Sequence, residues 1–122
     1  TLEGQFRRAA SQNDVPKLRQ LLNMNVDTNH ADKDGQTALH LAADRGATDA
    51  VQVLIHEAGC DVNSVDCDGI SVLQAAVIAG HFETAQVLLS AGADPDQQDC
   101  DGDTPRSCAE DSKMKQIFGS RS

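Results

Sequence analysis

The chain repeats itself at a period of about 33 residues. Asp-Cys-Asp-Gly occurs at residues 66–69 and again at 99–102, and a related Asp-Lys-Asp-Gly occurs at 32–35. The glycines that end these stretches are separated by 34 and then 33 residues. Three aliphatic pairs keep the same period, with one residue inserted after the second pair: Leu21-Leu22, Leu54-Ile55 and Leu88-Leu89. Such a period is typical of proteins that stack one small structural unit in a row.

Each Asp-x-Asp-Gly stretch has the composition of a turn that leads into a helix. Aspartate side chains bond to the backbone two residues on, and glycine permits a positive φ. Thr37, Ser71 and Thr104 follow at the position of a helix N-cap, and Pro105 follows Thr104 at the first helical position. The sequence therefore predicts that three helices begin at these residues.

Two helices of different character are predicted in each repeat. The first, such as Ala-Leu-His-Leu-Ala-Ala at 38–43, is rich in alanine, which suits close packing on both sides. The second carries an apolar stripe at helical spacing, as in residues 82–89, and Gly59 and Gly92 are expected to follow such helices directly as left-handed C-caps. With an aromatic content of only 2%, the core must consist of small aliphatic side chains. Helix pairs this short bury their apolar faces only by stacking.

We predict one domain, 1–122, made of four such units: 1–31, 32–65, 66–98 and 99–122. The first and last units carry polar residues where the inner units have Leu-His, namely Arg7 and Arg8 in one and Arg106 and Ser107 in the other. A polar outer face is what a terminal unit of a stack requires. Three apolar residues near the end are expected to fold back and close the core: Met114, Ile117 and Phe118.

The doubled Asp-Cys-Asp-Gly also suggests metal binding, but its spacing argues against it. A calcium loop needs glycine at its sixth position and glutamate at its twelfth, whereas here glycine is the fourth residue. Lys33 replaces the cysteine in the first copy, and a cation is a poor neighbour for a metal ion. The absence of a Cys-x-x-Cys pair disfavours structural zinc. We expect no metal ion and no cofactor.

The four cysteines are expected to be free thiols. Cys67 and Cys100 occupy equivalent places in adjacent units, roughly 10 Å apart if neighbouring helices pack normally, which exceeds the reach of a disulfide. Cys60 and Cys108 fall at core-like positions as small apolar residues. Free thiols favour a reducing compartment, the cytoplasm or the nucleus.

Taken together, Gly-Gln-Thr-Ala-Leu-His-Leu-Ala-Ala-Asp-Arg-Gly at 35–46 and Leu-Leu-Ser-Ala-Gly-Ala-Asp at 88–94 resemble the ankyrin repeat. The resemblance covers nearly the whole chain and departs from the family pattern in the first of these segments only at Ala38, where proline is usual. It implies an all-α solenoid of helix-turn-helix units joined by β-turn or hairpin loops. It also implies that His40 and His81 are structural, with His40 bonding turn backbone and oriented by Thr37.

Catalysis, nucleic-acid binding and membrane insertion are not expected. His30 and His56 fall near turns, and the chain shows no catalytic triad and no glycine-rich phosphate loop. The formal net charge of −9 opposes phosphate backbones and anionic lipid surfaces. No apolar run approaches the ~18 residues of a membrane span.

The ankyrin resemblance instead implies a protein-binding role, through turn tips and the concave face of the first helices. Carried over position by position, the recognition residues are Lys33, Asp34, Gln36, Asp44, Arg45, Cys67, Asp68, Ile70, Ile78, Ala79, Cys100, Asp101, Asp103 and Asp111. Ile70 and Ile78 are branched apolar residues at surface positions, surrounded by aspartates. The hypothesis is a groove with an isoleucine floor and a carboxylate rim, in a monomer that selects a basic or amphipathic protein segment.

Two other functions remain open at this stage. Ankyrin repeats also occur as accessory domains of acyl-CoA-binding proteins, whose first full unit resembles residues 34–46, so the chain could serve a multidomain carrier of acyl-CoA or another lipid ligand. A purely structural spacer is the third possibility.

Overall fold

The structure, a computed structural model, describes residues 1–119 of the 122-residue chain. Eight α-helices form within these residues: α1 (Leu2–Ser11), α2 (Val15–Leu22), α3 (Ala38–Arg45), α4 (Thr48–His56), α5 (Val72–Ile78), α6 (Phe82–Ser90), α7 (Pro105–Cys108) and α8 (Ser112–Gly119). Each predicted unit contains one consecutive pair. Residues 120–122 of the predicted fourth unit lie outside the described part of the chain.

The helices form two layers that run along the stack. The inner layer consists of α1, α3, α5 and α7, each packed on the next, and the outer layer of α2, α4, α6 and α8 likewise. Within each of the first three units the two helices pack against each other. The described residues contain no β-strand beyond an isolated bridge between Val65 and Ser71 at the second turn. The predicted all-α solenoid is confirmed.

Side-chain caps begin the inner helices at the predicted residues. The Thr37 hydroxyl accepts the His40 N–H, and the Thr104 hydroxyl accepts the Ser107 N–H. In both cases the third helical residue bonds back to the cap's own N–H, which completes a reciprocal capping box. Ser71 caps α5 in the same way, without the reciprocal bond. Ser107 therefore replaces histidine in the last unit and keeps its capping function.

The glycine C-cap prediction is correct for α6 and one residue off for α4. Gly92 (φ 99°) immediately follows the C-cap Ala91, and the Ala93 N–H reaches the Leu88 carbonyl in a Schellman motif. Gly59 (φ 67°) also has a positive φ, but it follows the C-cap Glu57 by two residues. The single-residue insertion detected in the sequence causes this displacement.

A continuous core of small residues joins the layers. Alanines close the inner contacts, and Leu18, Leu39, Leu54, Leu73 and Leu88 are essentially inaccessible to solvent. Fully buried phenylalanine side chains occur only at the two ends of the core in the described chain.

Phe6 is buried in the core of the first unit, and Phe118 and Met114 are buried in the core of the last unit. Each of the three residues is at most 3% exposed. Ile117 packs partly buried beside them. The prediction that the C-terminal segment folds back to close the core is confirmed.

Candidate partner-binding surface

Three nearly identical turns form one edge of the molecule. In each, the first aspartate accepts two backbone N–H bonds through its Oδ1 at 2.9–3.0 Å, as Asp66 does from Asp68 and Ile70. Neighbouring turns bond to each other, because the Cys67 N–H donates to the Asp34 carbonyl and the Cys100 N–H to the Asp68 carbonyl. The tips therefore stack in register.

This stacking projects a row of carboxylates into solvent. Asp34, Asp68 and Asp101 occupy equivalent exposed places at successive tips. Within residues 1–119, their side chains make no hydrogen bond or ion pair, whereas the first aspartate of each turn is engaged in holding the turn. The turn chemistry thus separates a structural aspartate from one that is available to a partner.

The side chain of the third helical residue of α3 and of α5 reaches into the next turn. His40 Nε2 lies 3.0 Å from the Ile70 carbonyl, and Gln74 donates its amide to Asp99 Oδ2 at 2.8 Å. Burial lowers the pKa of His40, with the Ile70 carbonyl acting in the opposite direction. His81 likewise lies with Nε2 2.9 Å from the Asp44 carbonyl. His40 and His81 thus occupy structural positions.

Most of the predicted recognition residues are exposed. Gln36 and Ile70 are partly buried, and the exposed ones are Lys33, Asp34, Asp44, Arg45, Cys67, Asp68, Ile78, Ala79, Cys100, Asp101, Asp103 and Asp111. Some of them lie at the turn edge, and others lie at or just after the C-terminal ends of the inner helices. They therefore form two neighbouring regions rather than a single patch.

A groove of about 440 Å³ lies at the C-terminal end of α5, between the third and fourth units. Val77, Ile78, Phe82 and Met114 supply its apolar lining, together with Cys108. Ile78 is 59% exposed, the largest exposure among the large apolar side chains of residues 1–119. An aliphatic side chain this open beside a concave apolar lining is suited to burial by a partner.

The length of α7 explains why the groove exists. The inner helices α3 and α5 have 8 and 7 residues, but α7 has only 4. The last turn of α5 therefore lacks the neighbour that its equivalent in α3 has. Ile78 at the end of α5 occupies the place of Asp44 in α3, a position that is exposed in both units.

Acidic residues surround the groove. Asp103, Glu110 and Asp111 line it, and Lys113 is the single basic residue in the lining. The Lys113 ammonium lies 4.4 Å from the centroid of the Phe82 ring, in a cation–π contact. The lining thus carries three carboxylates against one cation that is already held by an aromatic ring.

Ile70 and Ile78 do not share this groove. Ile70 lies partly buried at the second turn, where its N–H donates to Asp66 and its carbonyl accepts from His40. Of the predicted recognition residues, the groove brings together Ile78, Asp103 and Asp111.

Among the lining residues that sequence reasoning did not assign to a site are Phe82, Glu110, Lys113 and Met114. The first and last were assigned to the core, to which both also belong. The signal that could have found them is the shortening of the fourth unit, since a missing helical turn must uncover its neighbour.

The cysteines behave as free thiols in the structure. Cys60 is buried, donates toward the Thr28 carbonyl at 3.5 Å, and has its pKa raised to about 11 by burial. Cys67 is exposed at its tip; partial desolvation and the charges of Asp68, Asp66 and Asp34 raise its pKa. Neither environment favours a reactive thiolate at neutral pH.

One acidic cluster has a spacing that could suit a cation. Asp99, Asp101 and Asp103 offer carboxylate oxygens within 4.8 Å of one another. Asp99 is already engaged: Oδ1 accepts two backbone N–H groups and Oδ2 accepts the Gln74 amide, which lowers its pKa. A carboxylate this occupied as a turn element is a poor metal ligand.

The fold and this surface define a class: a linear stack of helical hairpins with an exposed, chemically varied edge. Comparison with known families agrees, because the model described as "Ankyrin repeats (3 copies)" matches residues 6–99. The chain belongs to the ankyrin-repeat family. Members of this family are generally protein-interaction modules and typically are not enzymes.

Three curated relatives illustrate the contexts in which similar repeats occur. The chain is 41% identical to human BCL-6 corepressor-like protein 1 over 92 residues, 75% of this chain and 5% of that protein. It is 41% identical to rice (subspecies indica) potassium channel AKT1 over 78 residues, 62% of this chain and 8% of the channel. It is 38% identical to Arabidopsis potassium channel AKT2/3 over 80 residues, 64% and 10% respectively. The chain thus spans a tenth or less of these relatives.

Among the described residues, no helix has the length and apolar character needed to cross a membrane.

Proposed function

We propose that this chain is a protein-interaction domain that binds a basic or amphipathic segment of a partner protein. The four units 1–31, 32–65, 66–98 and 99–122 would act as one monomeric domain. Recognition would use the turn tips and the exposed side of the inner helices, through the fourteen residues assigned above. Repeats of this kind occur in a corepressor-like protein and in potassium channels, which supports binding and does not favour the carrier of acyl-CoA or another lipid ligand.

The observation that carries the proposal is the stacked row of tip carboxylates. The side chains of Asp34, Asp68 and Asp101 are exposed and make no hydrogen bond or ion pair within residues 1–119, and the formal net charge of the chain is −9. Rows of like charge steer an oppositely charged partner and discriminate against acidic ones. Exposed Cys67 and Cys100 lie beside these carboxylates, and we propose a reducing intracellular compartment, cytoplasm or nucleus, for the same chain.

Selection from a random peptide library displayed on mRNA, with the chain immobilised, tests this function. We expect enrichment of peptides rich in lysine and arginine together with apolar residues, and affinities that fall as salt rises. Enrichment of acidic peptides, or of none, would refute the proposal.

Two double variants separate the tips from the general charge of the molecule. Asp34→Asn with Asp68→Asn removes two tip charges, and Asp49→Asn with Glu83→Gln removes two exposed charges from the outer layer. The tip variant should bind the enriched peptides several-fold more weakly, and salt should affect its affinity less. The outer-layer variant should bind them with nearly unchanged affinity. Equal effects of the two variants would show that only net charge matters.

A further inference from the structure

Resting on the proposed protein-binding function, we infer where the partner is anchored and by what chemistry. The groove lined by Val77, Ile78, Phe82 and Met114 receives one or two large apolar side chains of a peptide. Lysine or arginine residues on both sides of that apolar core lie against the carboxylates of Asp103, Glu110 and Asp111. The occupant is thus a short basic-apolar-basic segment.

The size and lining of the groove fit such an occupant. A volume of about 440 Å³ lies within the range of clefts that bind small ligands and suffices for one or two large side chains. Ile78 lies at this groove and is 59% exposed in the unbound chain. Covering it would remove apolar surface from water that no residue within 1–119 covers.

Charge selects the flanking residues. Three carboxylates line the groove, and the one cation in the lining, Lys113, lies over the Phe82 ring rather than against a carboxylate. An acidic segment would be repelled on all sides, whereas a lysine or arginine next to the apolar anchor gains a partner. An apolar segment without cations would fill the groove and leave the rim charges unmatched.

Other depressions on the surface do not offer this combination. Two more open ones, of about 370 and 410 Å³, lie along the outer helices α2, α4 and α6. Their linings include polar residues such as Gln52 and His56 and no exposed large aliphatic residue. The shortened α7 makes the groove at α5 distinct among the depressions of the described chain.

The composition of the chain gives a direct assay. It contains no tryptophan and no tyrosine, so a tryptophan in a peptide reports binding without interference. The probe is the amidated peptide Gly-Lys-Lys-Leu-Trp-Lys-Lys-Gly. One control peptide replaces Leu-Trp by Ser-Trp, and another replaces all four lysines by glutamate. We expect a blue shift of tryptophan emission with the probe, at least about tenfold weaker binding of the serine peptide, and no binding of the glutamate peptide.

Ile78→Asp should lower the affinity for the probe at least about tenfold and abolish the blue shift. Because the Ile78 side chain is highly exposed, we expect the variant to fold. Met24→Asp places the same charge at an exposed apolar residue of the first unit, outside the groove, and should change affinity less than twofold. Glu110→Lys, at an exposed rim position, should lower the affinity for the probe several-fold. Glu83→Lys, on the outer layer, should leave that affinity nearly unchanged.

The failures of the two proposals are distinguishable. Library-selected peptides that respond to the tip variant and ignore Ile78→Asp would overturn the groove and leave the binding function intact. Failure to select any peptide would overturn both. Another outcome, measured by sedimentation, is that the unmodified chain self-associates and that Ile78→Asp does not. That result would mean that a second copy of the chain occupies the groove, and it would overturn the peptide assignment. A probe that binds Ile78→Asp as well as the unmodified chain would also overturn it.

Discussion

At the scale of single residues, most side chains that look chemically active hold one turn or join it to the next. Asp66 accepts two N–H groups of its own turn, and His40 joins one unit to the carbonyl of the following turn. The glycines at the turn tips have a related role. A Cβ on Gly35 would lie 2.6 Å from the Cys67 nitrogen, whereas one on Gly102 would meet nothing within 4 Å.

These two glycines give a matched pair of variants. Gly35 and Gly102 have similar positive φ values, 79° and 84°, so replacement by alanine costs each about 1–2 kcal/mol of backbone strain. Gly35→Ala should cost about 1–3 kcal/mol more, because its Cβ collides with the backbone of the next turn. Urea unfolding measures both. Equal losses of stability would contradict the stacking of the tips.

The buried His40 predicts a pH dependence of stability. Burial lowers the pKa of His40 in the folded chain, so the neutral form is favoured there. The unfolded chain takes up a proton near pH 6.5 that the folded chain resists. Stability contributed by this group is therefore complete above about pH 6.5 and is lost as the pH falls through the lowered pKa of the folded state.

His40→Gln should flatten this dependence. Glutamine occupies the equivalent place at Gln74, so the variant should fold, with a loss of about 1 kcal/mol at pH 7.5 for the altered hydrogen bonds. Urea unfolding between pH 7.5 and 5.5 avoids the titration of the carboxylates. An unchanged slope in the variant would show that His40 is not the group responsible.

At the scale of helices, the sequence predicts where elements begin better than what their ends leave open. Thr37, Ser71 and Thr104 cap their helices as predicted, because capping depends on residues within one turn. Gly59 shows the limit of this prediction, since one inserted residue places the left-handed glycine two residues after the C-cap Glu57 instead of one. The groove could not be predicted in this way, because it results from the packing of α5 against a shortened neighbour that is distant in sequence.

The terminal helix α8 illustrates how a short element closes the stack. Phe118 is 1% exposed, and its carbonyl accepts the Arg106 guanidinium at 2.7 Å. Phe118→Ala should cost about 3–5 kcal/mol, from lost burial and the cavity left behind. It should also weaken peptide binding, because α8 carries Met114 into the groove.

Lys115→Ala provides the control on the same helix. Its exposed side chain should contribute less than about 0.5 kcal/mol. Both variants are compared by urea unfolding and by amide hydrogen exchange. A small effect of Phe118→Ala would mean that α8 does not close the core.

At the scale of the whole molecule, the chain is a stack of repeated helical units whose last unit is irregular. The family pattern accounts for the two layers and the three turns. The departures from that pattern, Ile78 in place of the aspartate of the preceding unit and a four-residue α7, create the groove with its acidic lining. We therefore propose that the junction of the third and fourth units binds the apolar part of the partner segment, in addition to the contacts at the turn tips.

Methyl chemical-shift mapping by NMR tests this assignment most directly. The unmodified chain, labelled at isoleucine and methionine methyl groups, is titrated with the basic-apolar-basic peptide. We predict the largest shifts at Ile78 and Met114, with Ile55 and Met24 nearly unchanged. Shifts concentrated at Ile55 or Met24, with Ile78 unaffected, would contradict the assignment.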